Sequence, residues 1–243
     1  MKFRGALLKQ ALTVQSTLAQ LQRRLPEGVL LELAEVEDAV DALWPEEQAL
    51  VAKAVESRRQ EFSSARVLAH HLLHKLKVPS APLLSLADRS PAWPTEILGS
   101  LSHSRKRCAA LVACKTKSLL GLGVDVEDLR PLKQNLFAEI LTAKEIETME
   151  AALPVEQHAT HVLAVFGIKE AMFKAMHALG NHGLGFHAME VDVLNDGSRP
   201  RVLPLADLQQ RLPRGCLPQV HHLREDEILL SVALLEGPAS PTS

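Results

Sequence analysis

Cysteine is scarce in this chain, and its spacing excludes two kinds of structural cross-link. The three cysteines, Cys108, Cys114 and Cys216, show no paired spacing and form no Cys/His cluster in the 243-residue sequence. Neither a disulfide framework nor a structural zinc site is therefore indicated. A reducing compartment follows as the expectation.

Long apolar runs and a strong net charge are also lacking. No stretch approaches the roughly 18 apolar residues that a membrane span needs, and the first residues contain no apolar run of signal-peptide length. The formal net charge of −2 provides no general attraction to nucleic acid or to an anionic membrane. We expect a cytoplasmic protein with no nucleic-acid or membrane partner, in which local basic residues hold any bound anion.

The composition is that of an ordinary globular protein, with 47% apolar and 23% charged residues. The length allows one large domain or two lobes, each able to bury a core. Periodicity predicts helices over 45–77 and 159–179, and strands over 188–194, 217–223 and 228–235.

A short apolar strand that ends in two carboxylates is the most informative segment. Residues 121–127 read Gly-Leu-Gly-Val-Asp-Val-Glu, which places Asp125 and Glu127 two residues apart. Side chains two apart share one face of an extended strand, so both can reach one hard cation. Alone, such a pair is more often two solvated acids where a sheet meets water.

The second predicted helix carries another charged pair. Within residues 166–174, Phe-Gly-Ile-Lys-Glu-Ala-Met-Phe-Lys, Glu170 and Lys174 are i and i+4 and stack on one face. Alone, this is a common helical ion pair. If the strand and the helix meet, however, three carboxylates and an ammonium converge, which is the composition of a site for magnesium and a diphosphate.

A predicted hairpin is the reason to expect His103 near these acids. The apolar runs 108–114 and 119–126 are separated by a short polar segment, a pattern that favours two antiparallel strands. Such a hairpin would bring His103 to the end of the sheet that carries Asp125 and Glu127. A basic group beside clustered acids is what a metal-bridged phosphate substrate needs.

These segments, in this order, resemble the 4′-phosphopantetheinyl transferases, which move phosphopantetheine from coenzyme A to a serine of an acyl or peptidyl carrier protein. The family has a Gly-Ile/Val-Asp-Val/Ile-Glu strand, matched by residues 123–127, and a Trp/Phe-x-x-Lys-Glu-x-x-x-Lys helix, matched by residues 166–174. Its upstream Ser-x-Ser-His is matched by residues 100–103. Residues 58–66 and 89–94 resemble the enterobactin-synthetase-associated branch and the broad-range pseudomonad enzymes.

The resemblance implies an α+β fold of two similar lobes related by a pseudo-twofold axis. Each lobe would have a small antiparallel sheet packed on helices, with the active site at the lobe interface. We predict an N-terminal lobe over 1–122, which carries the His103 motif on the nucleotide side. The C-terminal lobe, over 123–243, would carry the magnesium-binding acids and the Lys174 helix, and the chain is expected to be a monomer.

The resemblance also implies residue roles. The expected ligands of Mg²⁺, or of Mn²⁺ in its place, are Asp125, Glu127 and Glu170. The expected coenzyme A contacts are Arg59, Arg66, Ser102, His103 and Lys174. The expected catalytic residues are Glu170, Lys174 and His103. The proton of the carrier serine would pass to Glu170, or to Glu127 through water, and the sequence leaves this choice open. Read alone, Arg59 and Arg66 are more typical of arginines that cover apolar surface on an amphipathic helix.

The implied partners are coenzyme A and an acyl carrier protein or peptidyl carrier domain. Leu136 and Phe137 are predicted to receive the carrier. Two alternatives stay open: a magnesium-dependent phosphohydrolase acting on a nucleotide diphosphate, and a non-catalytic coenzyme A or carrier-binding protein. The sequence does not say whether the carrier serves fatty acid, polyketide, nonribosomal peptide or siderophore synthesis.

Overall fold

The structure, a computed structural model, describes residues 14–130, 132–194, 199–225 and 227–238. The chain divides into two compact units, Met1–Lys115 and Thr116–Ser243. Their boundary falls in the polar segment before the strand that carries Asp125 and Glu127, whereas the predicted boundary at 122/123 would divide that strand. Both units contain small antiparallel sheets packed on helices, which confirms the predicted α+β class.

The first unit has one three-stranded sheet in the order β1-β3-β2, with antiparallel pairing throughout. Its strands are β1 (Leu30–Glu35), β2 (Ile97–His103) and β3 (Arg107–Cys114). Its helices are α1 (Val14–Gln22), α2 (Pro45–Val51) and α3 (Glu56–Lys75), and α3 packs on the sheet. The helix predicted over 45–77 is therefore two helices, and no glycine or proline marks the break at residues 52–55.

The second unit contains a three-stranded antiparallel sheet in the order β4-β8-β7 and a two-stranded sheet. The strands are β4 (Leu119–Asp128), β5 (Met189–Asp192), β6 (Arg201–Pro204), β7 (Leu217–Glu225) and β8 (Ile228–Glu236). The helices are α4 (Phe137–Ile140), α5 (Ala143–Ala152), α6 (Val155–His177) and α7 (Ala206–Arg211). Among the described helices of both units, none combines the length and the apolar character of a membrane span.

The predicted hairpin between the two apolar runs is wrong. Strand β3 pairs with β1 and β2, and β4 pairs with β8, so the two strands belong to different sheets. Both edges of β3 are already occupied, and the polar segment after Cys114 connects the two units. The hairpin therefore gives no argument for the position of His103, which lies in β2 opposite Cys108.

Strand β4 and helix α6 approach so closely that two positions of the strand accept only glycine. A Cβ added to Gly123 would lie 2.0 Å from the carbonyl oxygen of Ala171. A Cβ added to Gly121 would lie 2.3 Å from the carbonyl oxygen of Ala175. The face of β4 that contains these glycines, and by alternation Asp125, is therefore the face that packs on α6.

A buried polar contact lies in the same sheet. His222 on β7 and Ser231 on β8 are directly opposite each other, and Nδ1 of His222 lies 3.0 Å from Oγ of Ser231. Burial lowers the pKa of His222 from 6.5 to about 4. The folded protein therefore favours the neutral imidazole at this position.

We predict that Gly123→Ala destabilises the second unit by about 1–3 kcal/mol or more, because the new methyl group meets helix backbone that cannot rotate away. Gly185→Ala is the matched control, since a Cβ there has no neighbour within 4 Å. Urea unfolding measures both variants. Equal stability of the two variants would contradict the close contact.

We also predict that His222 makes the protein less stable at acid pH. Its folded pKa lies below its unfolded value, so stability is complete above the unfolded pKa of 6.5 and is lost as the pH falls through 6.5 toward 4. The loss between about pH 7 and about pH 5 should be roughly 2 kcal/mol. His222→Gln should remove this part of the pH dependence, as measured by urea unfolding at both pH values. An unchanged dependence would contradict the assignment, and the exposed His187→Gln serves as the control.

Candidate metal and phosphate site

Asp125 links the end of β4 to helix α6. Its side chain is buried, with 4% of the residue exposed, and its Oδ1 lies 2.7 Å from Nζ of Lys174. The same ammonium donates to the carbonyl oxygen of Val124 at 3.0 Å. The glycines that precede Asp125 on β4 allow this contact, because they hold the strand against the helix.

Glu127 and Glu170 share the electrostatic environment of Asp125. Burial raises the pKa of Glu127 to about 7, and the negative charge of Asp125 contributes to this rise. The positive charges of Arg130 and Lys174 act in the opposite direction. Burial also raises the pKa of Glu170, where Lys174 opposes the shift and Asp125 adds to it. Three acids therefore interact in one partly buried region that also contains the ammonium of Lys174, and a further cation would stabilise them.

The donor set suits a hard divalent ion, because it consists of carboxylate oxygens. The ammonium of Lys174 contacts Asp125 at 2.7 Å. Within the described residues, the three carboxylates do not form a group whose ligand atoms all lie within 4.8 Å of one another. A shared ion would therefore require the side chains of Glu127 and Glu170 to turn toward Asp125.

Lys169, inside the helical motif, has a structural position that the sequence analysis did not identify. It is fully buried, and its Nζ donates to Oε2 of Glu145 at 2.7 Å and to the carbonyl oxygen of Ile140 at 2.9 Å. Glu145 also accepts the backbone N–H of Val191 at 2.7 Å. The pair ties the segment after β4 to helix α6. In the sequence, the capping-box pattern of Thr142 and Glu145 marks the start of α5. It identifies Glu145 as a structural residue but does not identify Lys169 as its partner.

His103 forms a polar cluster within the first unit. Nη1 of Arg58 lies 2.8 Å from Nε2 of His103, and Nδ1 of His103 lies 3.5 Å from Oε2 of Glu61. A guanidinium can only donate, so Nε2 is the acceptor and the neutral ring carries its proton on Nδ1. Sequence analysis missed Arg58, although its i,i+3 spacing to Glu61 on α3 was visible.

The other residues predicted for coenzyme A lie in different environments. Arg59 is partly exposed on α3. Arg66 is buried, with 4% exposed, and its Nε donates to the carbonyl oxygen of Leu83 at 3.0 Å while its guanidinium stacks over Phe62. Its burial and these contacts give Arg66 a structural role in its unit, and its contact with coenzyme A stays a prediction. Ser102 is buried and, as a neighbour of His103 in β2, points to the opposite face.

The predicted docking residues lie between β4 and α5. Leu136 and Phe137 are partly buried and pack against the core of the second unit. Lys133, close by, is exposed. The segment thus presents part of two apolar side chains beside a basic residue.

Comparison with known proteins yields two matching family models. The 4′-phosphopantetheinyl transferase N-terminal domain matches residues 46–113, and the 4′-phosphopantetheinyl transferase superfamily matches residues 121–222. Among solved structures, a holo-ACP-synthase from Plasmodium yoelii aligns over 50% of this chain and 97% of its own, at 19% identity and a TM-score of 0.41.

Three curated relatives carry the same family name. The 4′-phosphopantetheinyl transferase Svp of Streptomyces mobaraensis is 35% identical over 65% of this chain and 63% of its own length. PptT of Mycobacterium tuberculosis is 32% identical over 63% of this chain and 66% of its own length. Npt of Nocardia iowensis is 32% identical over 72% of this chain and 77% of its own length. The chain thus spans just under two thirds of Svp and PptT.

The matched regions include the segment with His103 and the segment with Asp125, Glu170 and Lys174. A relative with 32% identity is matched over 77% of its length. The chain therefore belongs to the 4′-phosphopantetheinyl transferase family.

Proposed function

We propose that this chain transfers the 4′-phosphopantetheine group of coenzyme A to a serine of an apo acyl or peptidyl carrier protein, in a magnesium-dependent reaction. The observation that carries the proposal is the cluster of Asp125, Glu127, Glu170 and Lys174 at the close contact of β4 with α6. The products would be the holo carrier and adenosine 3′,5′-bisphosphate.

Asp125, Glu127 and Glu170 would hold Mg²⁺, or Mn²⁺, through their carboxylate oxygens. When bound, the ion neutralises charge on the diphosphate and on the leaving group. Burial and the charge of Asp125 raise the pKa values of Glu127 and Glu170, which supports the proposal because a cation beside the carboxylates would oppose both effects. Lys174 would contact a diphosphate oxygen as a point charge.

In the transfer step, the serine Oγ attacks the β-phosphorus of coenzyme A. A new P–O bond forms to the serine, and the bond from that phosphorus to the bridging oxygen breaks. The serine proton passes to Glu170, or through water to Glu127, and the bridging oxygen leaves with adenosine 3′,5′-bisphosphate. Lys174 would stabilise the charge on the diphosphate as the bond breaks.

In the first unit, we propose that His103 and Arg58 bind phosphate of the nucleotide. Their contact at 2.8 Å makes a paired imidazole and guanidinium, and Arg58 is exposed. A guanidinium suits phosphate because it donates through several N–H groups. Arg59 is a further candidate, since it is adjacent in the chain and partly exposed.

We predict that Glu170→Gln lowers kcat for transfer by about 100-fold or more, because it removes a proposed metal ligand and base while keeping the shape of the side chain. Mass spectrometry of an apo carrier with coenzyme A and Mg²⁺ would follow the gain of one phosphopantetheine. A thermal melt with and without Mg²⁺ provides a readout independent of turnover. Mg²⁺ should stabilise the wild type and not the variant.

The matched control is Glu156→Gln, an exposed acid on the same helix. Near-normal transfer by Glu170→Gln would contradict the proposed site. Cleavage of coenzyme A without modification of the carrier would instead favour a phosphohydrolase. Binding of coenzyme A with neither reaction would favour a non-catalytic protein.

For the carrier, we predict that Leu136→Asp or Phe137→Asp raises the KM for carrier roughly tenfold and leaves the KM for coenzyme A unchanged, because a charge replaces apolar contact area. Leu217→Asp is the control, since Leu217 is an apolar residue with 69% exposure on β7 of the same unit. Thermal melts verify that each variant is folded. Equal changes in both KM values would count against docking at this segment.

A further inference from the structure

Two histidines meet at the C-terminal end of α6. His177 is the last residue of the helix and His182 lies in the loop that follows. Their rings contact edge to face, with centroids 4.4 Å apart and an angle of 84° between the planes. A ring nitrogen of each lies within 4.8 Å of one in the other.

The loop between these histidines has a defined backbone conformation. Gly180 and Gly183 both have φ of +73°, a left-handed conformation that glycine adopts without strain. The N–H of Gly180 donates to the carbonyl oxygen of His177 at 2.9 Å. The loop thus reverses the chain within a few residues and returns His182 to the helix end.

Arg211 on α7 forms hydrogen bonds with two residues of the same loop. Its Nη1 donates to the carbonyl oxygen of His182 at 3.1 Å, and its own carbonyl oxygen accepts from Nδ2 of Asn181 at 3.3 Å. Asp207 orients the guanidinium through contacts of 2.9 and 3.2 Å. The position of His182 beside His177 is therefore fixed by contacts from a second element.

We propose that His177 and His182 form a binding site for a divalent transition-metal ion of the Zn²⁺ or Ni²⁺ type. Imidazole nitrogens suit these ions, whereas Mg²⁺ prefers oxygen ligands. Metal–nitrogen distances are about 2.0–2.1 Å, so two nitrogens on one ion lie within about 4 Å of each other. The nitrogens lie within 4.8 Å of each other, so rotation of the rings would bring them to this distance, and water would fill the remaining coordination positions.

This site differs in chemistry from the carboxylate cluster of the same helix. His177 follows Lys174 by three residues and so lies on the same side of α6. The ligand type separates the two sites, because the carboxylates select a hard ion and the imidazoles a softer one. The inference does not depend on the proposed transferase reaction.

Isothermal titration calorimetry of the full chain with Zn²⁺ tests the proposal, with excess Mg²⁺ present to saturate the carboxylates. We expect one Zn²⁺ site in the wild type. His182→Ala should lower the affinity for Zn²⁺ at least about tenfold. Loss of a group that only supports a metal ligand already costs about 10- to 100-fold, and His182 would be a ligand itself. His182 is exposed, so this variant should fold normally.

His177→Gln should have the same effect, and His187→Ala, an exposed histidine of the same unit, should have none. If His177→Gln does not fold, the His182→Ala variant alone decides. Unchanged Zn²⁺ affinity in His182→Ala would overturn the proposal, as would the absence of Zn²⁺ binding in the wild type. An equal loss in the His187→Ala control would overturn it as well.

Discussion

The close contact of β4 with α6 is the constraint on which the site depends. Side chains at residues 121 and 123 would collide with helix carbonyl oxygens at 2.3 and 2.0 Å, so glycine at both positions lets strand and helix backbones touch. Two residues further along the same face, Asp125 then reaches Lys174 at 2.7 Å. The missing side chains at residues 121 and 123 thus allow the ion pair between Asp125 and Lys174.

The packing of β4 on α6 places the carboxylates of Asp125, Glu127 and Glu170 in a partly buried region. The pKa of Glu127 rises to about 7, and the pKa of Glu170 also rises, with burial as the main cause and the charge of Asp125 as an additional one. Such a cluster is unfavourable without a cation, and native proteins tolerate unfavourable groups mainly at functional sites. The buried Lys169–Glu145 pair links the same helix to α5, so at least one residue of the helical motif has a structural contact.

Local sequence patterns predicted the strand and the helix of the candidate site better than they predicted the topology. Strand β4 and helix α6 were predictable because alternation and i,i+4 spacing act within a few residues, and both motifs lie on the expected elements. The hairpin prediction failed because strand pairing is a long-range choice: β8, about a hundred residues later in the chain, is the partner of β4. Long-range contacts of side chains were equally invisible: an arginine pattern on a helix does not reveal that Arg66 donates to the carbonyl oxygen of Leu83.

We propose above all that Asp125, Glu127 and Glu170 act as one cation site. The most direct measurement is a crystal structure of the chain with Mn²⁺ and coenzyme A, in which the anomalous signal locates the ion. We expect one ion ligated by all three carboxylates, with Lys174 in contact with the diphosphate. An ion held by other residues, or a bound diphosphate that Lys174 does not contact, would contradict the proposed site.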